Sequence, residues 1–125
     1  MRHILPSIFL VILVLTGCGG PMKYTVTGTV TFDGEPIADG HIAFIPEDAG
    51  QGGGGRITKG RYTVQADPGK NRVEVRAVKK MMIIGPDGKP VEDFGAYIPP
   101  KYNINTTLKA DITEATTLDF PLTSK

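Results

Sequence analysis

From residue 24 onward apolar and polar residues alternate in short runs, the period of a strand with one buried face. Residues 24–32 place Tyr24, Val26, Val30 and Phe32 on one side, with Gly28 among them, and four threonines on the other. Residues 41–45 put Ile42 and Phe44 together. Residues 61–66 align Tyr62, Val64 and Ala66, and residues 72–78 align Val73, Val75 and Ala77 opposite Arg72, Glu74 and Arg76. Leu108, Ala110 and Ile112 resume the alternation, and Leu118, Phe120 and Leu122 close it. Asp33-Gly34-Glu35-Pro36, Lys59-Gly60, Asp67-Pro68-Gly69 and Glu114-Ala115 fall between these runs as turns. Ile37, just after the first turn, is expected to tuck back toward the core. No stretch beyond residue 18 carries a helical period. The pattern predicts an all-β domain of about seven short antiparallel strands, arranged as a Greek-key sandwich.

Two stretches break the rhythm. Residues 47–55 contain four consecutive glycines, Gly52 to Gly55, and are expected to form a mobile loop. The run lacks the Gly-Lys-Ser/Thr ending and following helix of a phosphate-cradling loop; Arg56-Ile57-Thr58 reads instead as a short strand. Residues 81–105 read as a long loop, a length that in a small domain tends to be functional. Within them Met81, Met82, Ile83 and Ile84 either extend the preceding strand or form a small hairpin with Val91 across Asp87-Gly88. The wider segment 79–105 holds the candidate binding surface: Phe94, Tyr97, Lys101 and Tyr102. Exposed aromatics stack on sugar rings or fill a partner's pocket. The competing expectation is a lid over one open end of the core, since a small domain needs its aromatics for burial.

The start of the chain has a different character. Met1-Arg2-His3 is a short positive start, and residues 4–15 are apolar apart from Pro6 and Ser7. About a dozen residues are too few for the ~20 that a membrane-spanning helix requires, but they suit a secretory leader. Leu15-Thr16-Gly17-Cys18 then offers small residues followed by the chain's single cysteine. The stretch resembles a bacterial lipoprotein processing site, with cleavage between Gly17 and Cys18 and acylation of Cys18. Two or three acyl chains anchor stably where one does not. The expected organisation is a signal peptide over 1–17, a lipidated tether over 18–23 and a β-domain over 24–125. No acidic residue directly follows Cys18, which points to the outer membrane if the cell has two.

Composition narrows the function. The chain has 125 residues, 14 Lys+Arg and 13 Asp+Glu; once Arg2 leaves with the leader, the charges balance, and no basic footprint for nucleic acid remains. Beyond the leader, His41 and Ser124 are the sole histidine and serine. A nucleophile–base pair is therefore not credible, nor is a zinc site. His41 reads as a surface or edge residue. Asp33, Asp39, Glu47, Asp48, Asp87, Glu92 and Asp93 lie in turns and loops without the spacing of a calcium loop. No enzyme activity, metal or cofactor is expected.

Several motifs in order resemble a family. Val26-Thr27-Gly28-Thr29-Val30 precedes Asp33-Gly34-Glu35-Pro36-Ile37, and Gly40-His41-Ile42-Ala43-Phe44 follows. Lys59-Gly60-Arg61-Tyr62, Pro68-Gly69-Lys70 (with Asn71 where an aromatic is usual), Ile98-Pro99-Pro100-Lys101-Tyr102-Asn103 and Leu118-Asp119-Phe120-Pro121-Leu122 complete the set. Together they resemble small bacterial lipoproteins with a carboxypeptidase regulatory-like, transthyretin-like (prealbumin-like) β-sandwich. The resemblance implies fold and export, and a non-catalytic module. The expected function is a lipid-anchored binding or structural protein of the cell envelope, whose partner is the membrane through Cys18 and either an envelope protein or a glycan. The alternatives are a carbohydrate-binding-like module and an accessory domain to a separate envelope enzyme.

Overall fold

The computed structural model describes residues 22–48 and 50–125. The leader, the Gly17–Cys18 processing site and Cys18 itself lie outside the described residues. Within them the chain is all-β, with ten strands and one turn of 3₁₀ helix at Pro100–Tyr102. The strands are β1 (Tyr24–Phe32), β2 (Glu35–Pro36), β3 (Asp39–Pro46), β4 (Gly53–Thr58), β5 (Arg61–Ala66), β6 (Gly69–Ile84), β7 (Pro90–Ala96), β8 (Lys109–Ile112), β9 (Thr116–Thr117) and β10 (Phe120–Leu122). They form a curled sheet in the order β10-β1-β5-β4-β3-β6-β7, with β2 and β9 on β1 and β8 on β6.

Pairing is antiparallel except where β9 and β10 run parallel to β1. The alternation predicted for residues 61–66 and 72–78 is the observed burial pattern. Asp33 (φ 50°) and Gly34 (φ 83°) form a two-residue turn with both φ positive, the form whose twist matches a hairpin. Lys59 (φ 52°) and Gly60 (φ 79°) do the same between β4 and β5. Ile37 plugs the space between these two turns. Its N–H donates to the Val30 carbonyl at 3.1 Å, its carbonyl accepts from Gly60 at 2.7 Å, and its side chain is fully buried.

Curling brings the two ends of the sheet around one core. Val26, Val30, Tyr62, Val64, Phe120 and Leu122 meet Ile42, Phe44, Val73, Val75 and Ile112 in a single cluster. Phe44, Tyr62 and Phe120 pack as a trio with ring centroids 6.1–6.2 Å apart, within the range where aromatic pairs attract. The closing segment crosses β1 closely. Leu118 donates its N–H to Thr27 at 2.8 Å, and its carbonyl accepts the Tyr62 hydroxyl at 2.6 Å. A Cβ on Gly28 would lie 1.8 Å from that same carbonyl oxygen, so only glycine lets the segment pass.

Three expectations are corrected. The strands number ten rather than about seven, because β2 forms after the first turn, β7 forms within the expected long loop, and the closing run divides into β9 and β10. The glycine run is not a mobile loop through to Gly55: Gly53, Gly54 and Gly55 pair with Phe44, Ala43 and Ile42. Glycine fits there because β5 passes against the strand; a Cβ on Gly53 would lie 1.8 Å from the Gln65 carbonyl oxygen. Finally, the loop expected over 81–105 is not continuous: Met81 to Ile84 extend the preceding strand, and the hairpin with Val91 across Asp87-Gly88 is present. β6 continues to Ile84 and β7 returns along it, pairing Val78 with Ala96 through to Ile84 with Pro90.

Candidate functional site

The β6–β7 hairpin is an arm. β3 pairs with β6 only as far as Gly40 opposite Ala77. Beyond that point, among the described residues, β6 has a partner only on its β7 side. The reversal is built by Gly85-Pro86-Asp87-Gly88-Lys89: Gly85 donates to Lys89 at 2.8 Å, Gly88 donates to Gly85 at 2.9 Å, and the Asp87 carboxylate accepts from the Lys89 N–H at 3.0 Å. Directly paired residues share a face in an antiparallel ladder. One face of the arm therefore carries Val78, Lys80, Met82 and Ile84 from β6 and Phe94 and Glu92 from β7. Met82 is 61% exposed, Ile84 71% and Phe94 65%. The other face carries Lys79, Met81 and Ile83 beside Asp93 and Val91.

The remaining candidates sit elsewhere. Tyr97 leaves β7 and packs edge-on against Phe32, with ring centroids 5.5 Å apart. The Lys79 ammonium lies over the Tyr97 ring at 4.6 Å. Residue 79 points to the core-side face, as Ala77 does, which is why it reaches that ring. Phe32, Asp33, Pro36, Lys79 and Tyr97 line a shallow cleft. Tyr102, in the 3₁₀ turn, is bound to the closing strand: its hydroxyl accepts from the Thr123 N–H at 3.0 Å. The Lys101 ammonium lies 5.1 Å from the Tyr102 ring centroid and donates to the Lys125 carbonyl. Tyr97 and Tyr102 are both half-buried against the core. The fold thus gathers Tyr97, Lys101 and Tyr102 around the Phe32–Asp33 end of β1 and leaves Phe94 out on the arm.

Electrostatics follow these contacts. The Ser124 N–H donates to the Asp33 carboxylate at 2.9 Å and, with its side chain, holds that carboxyl below the usual range; Lys125 and Lys101 add to the effect. Hydrogen bonds from Thr123 bring the Tyr102 phenol below its ordinary value. Burial pushes Tyr97 up. Burial, then the Asp119 charge, pushes Tyr62 well above the tyrosine range. None of these groups stands as a nucleophile beside a base. His41 is exposed on β3, and its ring occupies the space that a Cβ on Gly54 would need, with Cε1 2.8 Å away. Among the described residues no three His, Cys, Asp or Glu side chains are grouped to hold a metal ion. No helix among them is long and apolar enough to cross a membrane.

A polar cluster at the other end of the sheet escaped the sequence reading. Asp67 is buried; it accepts from the Gly52 N–H at 2.8 Å and faces the Lys23 ammonium at 3.6 Å. Lys23 also donates to the Gly52 carbonyl at 2.8 Å. Asn71, fully buried, donates to the Asp67 and Gly69 carbonyls at 2.8 and 2.9 Å. In sequence Asp67 is indistinguishable from a solvated turn aspartate, because its partners lie in segments far along the chain. Asn71 standing in the place of an aromatic was the one available signal.

No protein-family description and no curated protein matches the chain. Among solved structures, 81% of the chain aligns with 16% of a 9R-lipoxygenase from Cyanothece PCC8801, at 18% identity and a TM-score of 0.42. The chain thus corresponds to about a sixth of that enzyme's length. At that level of similarity the alignment carries no argument about activity.

Proposed function

We propose that this chain is a non-catalytic, lipid-anchored module of the bacterial cell envelope, a transthyretin-like Greek-key sandwich held at a membrane face through Cys18. The observation that carries the reading is the order at the start of the chain: positive residues, a short apolar run, Thr16-Gly17, then the single cysteine. Cys18 lies six positions before Tyr24, the first residue of β1, a reach of at most about 22 Å. The anchor would therefore hold the domain close to the bilayer, by the end where Lys23, Gly52 and Asp67 meet.

The strand directions support a role as a presenting module. Tyr24 pairs with Ala66, and β6 begins just beyond, at Gly69. From there β6 runs for 16 residues, about 50 Å at ~3.3 Å per residue. Its far end, Ile84, extends past Gly40 at the opposite edge of the domain. An anchor at Cys18 therefore leaves the apolar arm pointing away from the membrane, toward an envelope partner. The absence of an acidic residue after Cys18 favours outer-membrane delivery in a two-membrane cell.

The carbohydrate-binding alternative is supported less well, because Tyr97 and Tyr102 each carry a lysine ammonium over the ring. An accessory role beside a separate envelope enzyme uses the same anchor and surfaces. Metabolic labelling with a tagged fatty acid tests the main reading. Wild-type chain is expected to label and to lose residues 1–17, and Cys18→Ala is expected to do neither. Equal labelling of the two would overturn the anchor. A glycan pull-down that retains wild type and loses Tyr102→Ala would move the assignment to the carbohydrate reading.

A further inference from the structure

A two-stranded ribbon has little stability in water unless something covers it. Among the described residues, beyond Ala77 this arm has two unpaired backbone edges, one along β7 and one along β6. The β6 edge is identifiable residue by residue. Successive residues of a strand direct their N–H and C=O to opposite edges. The Val73 N–H donates to Leu108 at 2.9 Å and the Ala77 carbonyl accepts from Tyr97 at 3.4 Å. Odd-numbered residues of β6 therefore address β8 and β7. Even-numbered residues address β3 as far as Arg76, which lies opposite His41, and beyond it Val78, Lys80, Met82 and Ile84 address an empty edge.

The two edges differ in charge. Glu92 and Asp93 sit in the middle of β7, so two copies pairing antiparallel through β7 would set carboxylates against carboxylates, which is destabilising. The β6 edge ends in Met81-Met82-Ile83-Ile84, with no charge. We infer that the far part of the free β6 edge, residues 80–84, pairs antiparallel with the same segment of a second copy of this chain. Centred on Met82, the pairing sets Lys80 opposite the partner's Ile84 and Met81 opposite the partner's Ile83, so no like charges meet. The contact is self-complementary and closes after two copies. It produces a four-stranded sheet with β6 strands inside and the acidic β7 strands outside. Met82, Ile84 and Phe94 from both copies then share one face, with Lys80 and Glu92 among them. Pairing β7 against a partner's β6 would match charges too, but it leaves both outer edges free and propagates.

The test uses the full-length chain in mild detergent. Light scattering is expected to give two copies per particle for wild type and one for Met82→Lys, with matching circular dichroism. The same result is expected in a Cys18→Ala background, so this inference and the anchor reading fail separately. Oxidative crosslinking provides the second arm. Residues paired across an antiparallel ladder lie about 5.5 Å apart at Cα, within disulfide range. Met82→Cys is expected to give a linked dimer. Both cysteine variants are made in the Cys18→Ala background, which has no other cysteine, and there Glu92→Cys is expected to give no linked dimer. A wild type that stays single at every concentration, or monomers that bind vesicles through the arm, would overturn the inference. So would particles larger than two copies, a dimer that survives Met82→Lys, or crosslinking through Glu92→Cys in preference to Met82→Cys.

Discussion

The Lys23 ammonium stands 3.6 Å from the Asp67 carboxylate, tying the residue before β1 to the turn between β5 and β6. Asp67 also accepts from the Gly52 N–H, so three separate segments converge on one buried acid. Removing a buried acceptor costs more than the bond itself contributes, because its donor is left without a partner. Asp67→Ala is expected to lower stability by about 1–3 kcal/mol in urea denaturation. Lys23→Met should cost less, since Asp67 keeps its Gly52 donor. An equal or larger loss for Lys23→Met would show that the ion pair, rather than the Gly52 bond, dominates.

Close approach of backbones sets the second prediction. Cβ atoms on Gly28 and Gly53 would each lie 1.8 Å from a carbonyl oxygen, of Leu118 and Gln65 respectively. Neither neighbour is a side chain that can swing aside. Gly28→Ala and Gly53→Ala are expected to cost about 3 kcal/mol or more, the upper range for overpacking. Gly34, at φ 83° with nothing near its Cβ position, should accept asparagine with little loss, since asparagine tolerates that conformation. Thermal melts of the three variants make the comparison directly.

Tyr62 links the core to the closing segment through its 2.6 Å bond to the Leu118 carbonyl. Tyr62→Phe keeps the ring and removes the bond, for an expected loss of about 1 kcal/mol. The phenol's raised pKa, caused first by burial, adds a pH signature. The folded state prefers the neutral phenol. Its contribution is fully present below the unfolded tyrosine value and is lost as pH rises through the folded one. Stability should therefore fall on the alkaline side, and fall less steeply in Tyr62→Phe.

Asp33 should act on the acid side. Its carboxyl is held below the ordinary range, first by the Ser124 N–H. Its contribution is present above the unfolded value and is lost as pH falls through the folded one. Protection of the Ser124 amide against hydrogen exchange, measured relative to its intrinsic rate, is expected to fall over that acid window in wild type and to be already lost in Asp33→Asn. A Ser124 amide with the same pH profile in both would show that the bond does not order the closing strand.

How much was legible depended on the range of the deciding interaction. Val26, Val30, Phe44, Tyr62, Val73 and Val75 were readable as core because strand periodicity is local. Ile37 was readable because it follows a turn whose residues require positive φ. The glycine run looked like loop because its reason is a neighbour, β5, that a local pattern does not contain. Phe94 and Tyr97 looked alike in sequence, three residues apart. Only the end of pairing with β3 at Ala77 separates an aromatic on a free arm from one packed against Phe32.

The amino-acid order by itself determined an all-β chain, the positions of its main turns, and the inward side of the strands whose alternation is regular. These follow from short-range rules: side-chain alternation and backbone preferences. The tertiary structure alone decided that β9 and β10 run parallel to β1, that Asp67 is buried beside Lys23, and that residues 78–96 stand out as a ribbon. Those outcomes depend on which distant segments share an edge, and pairing between remote strands is decided by the packing of the whole core.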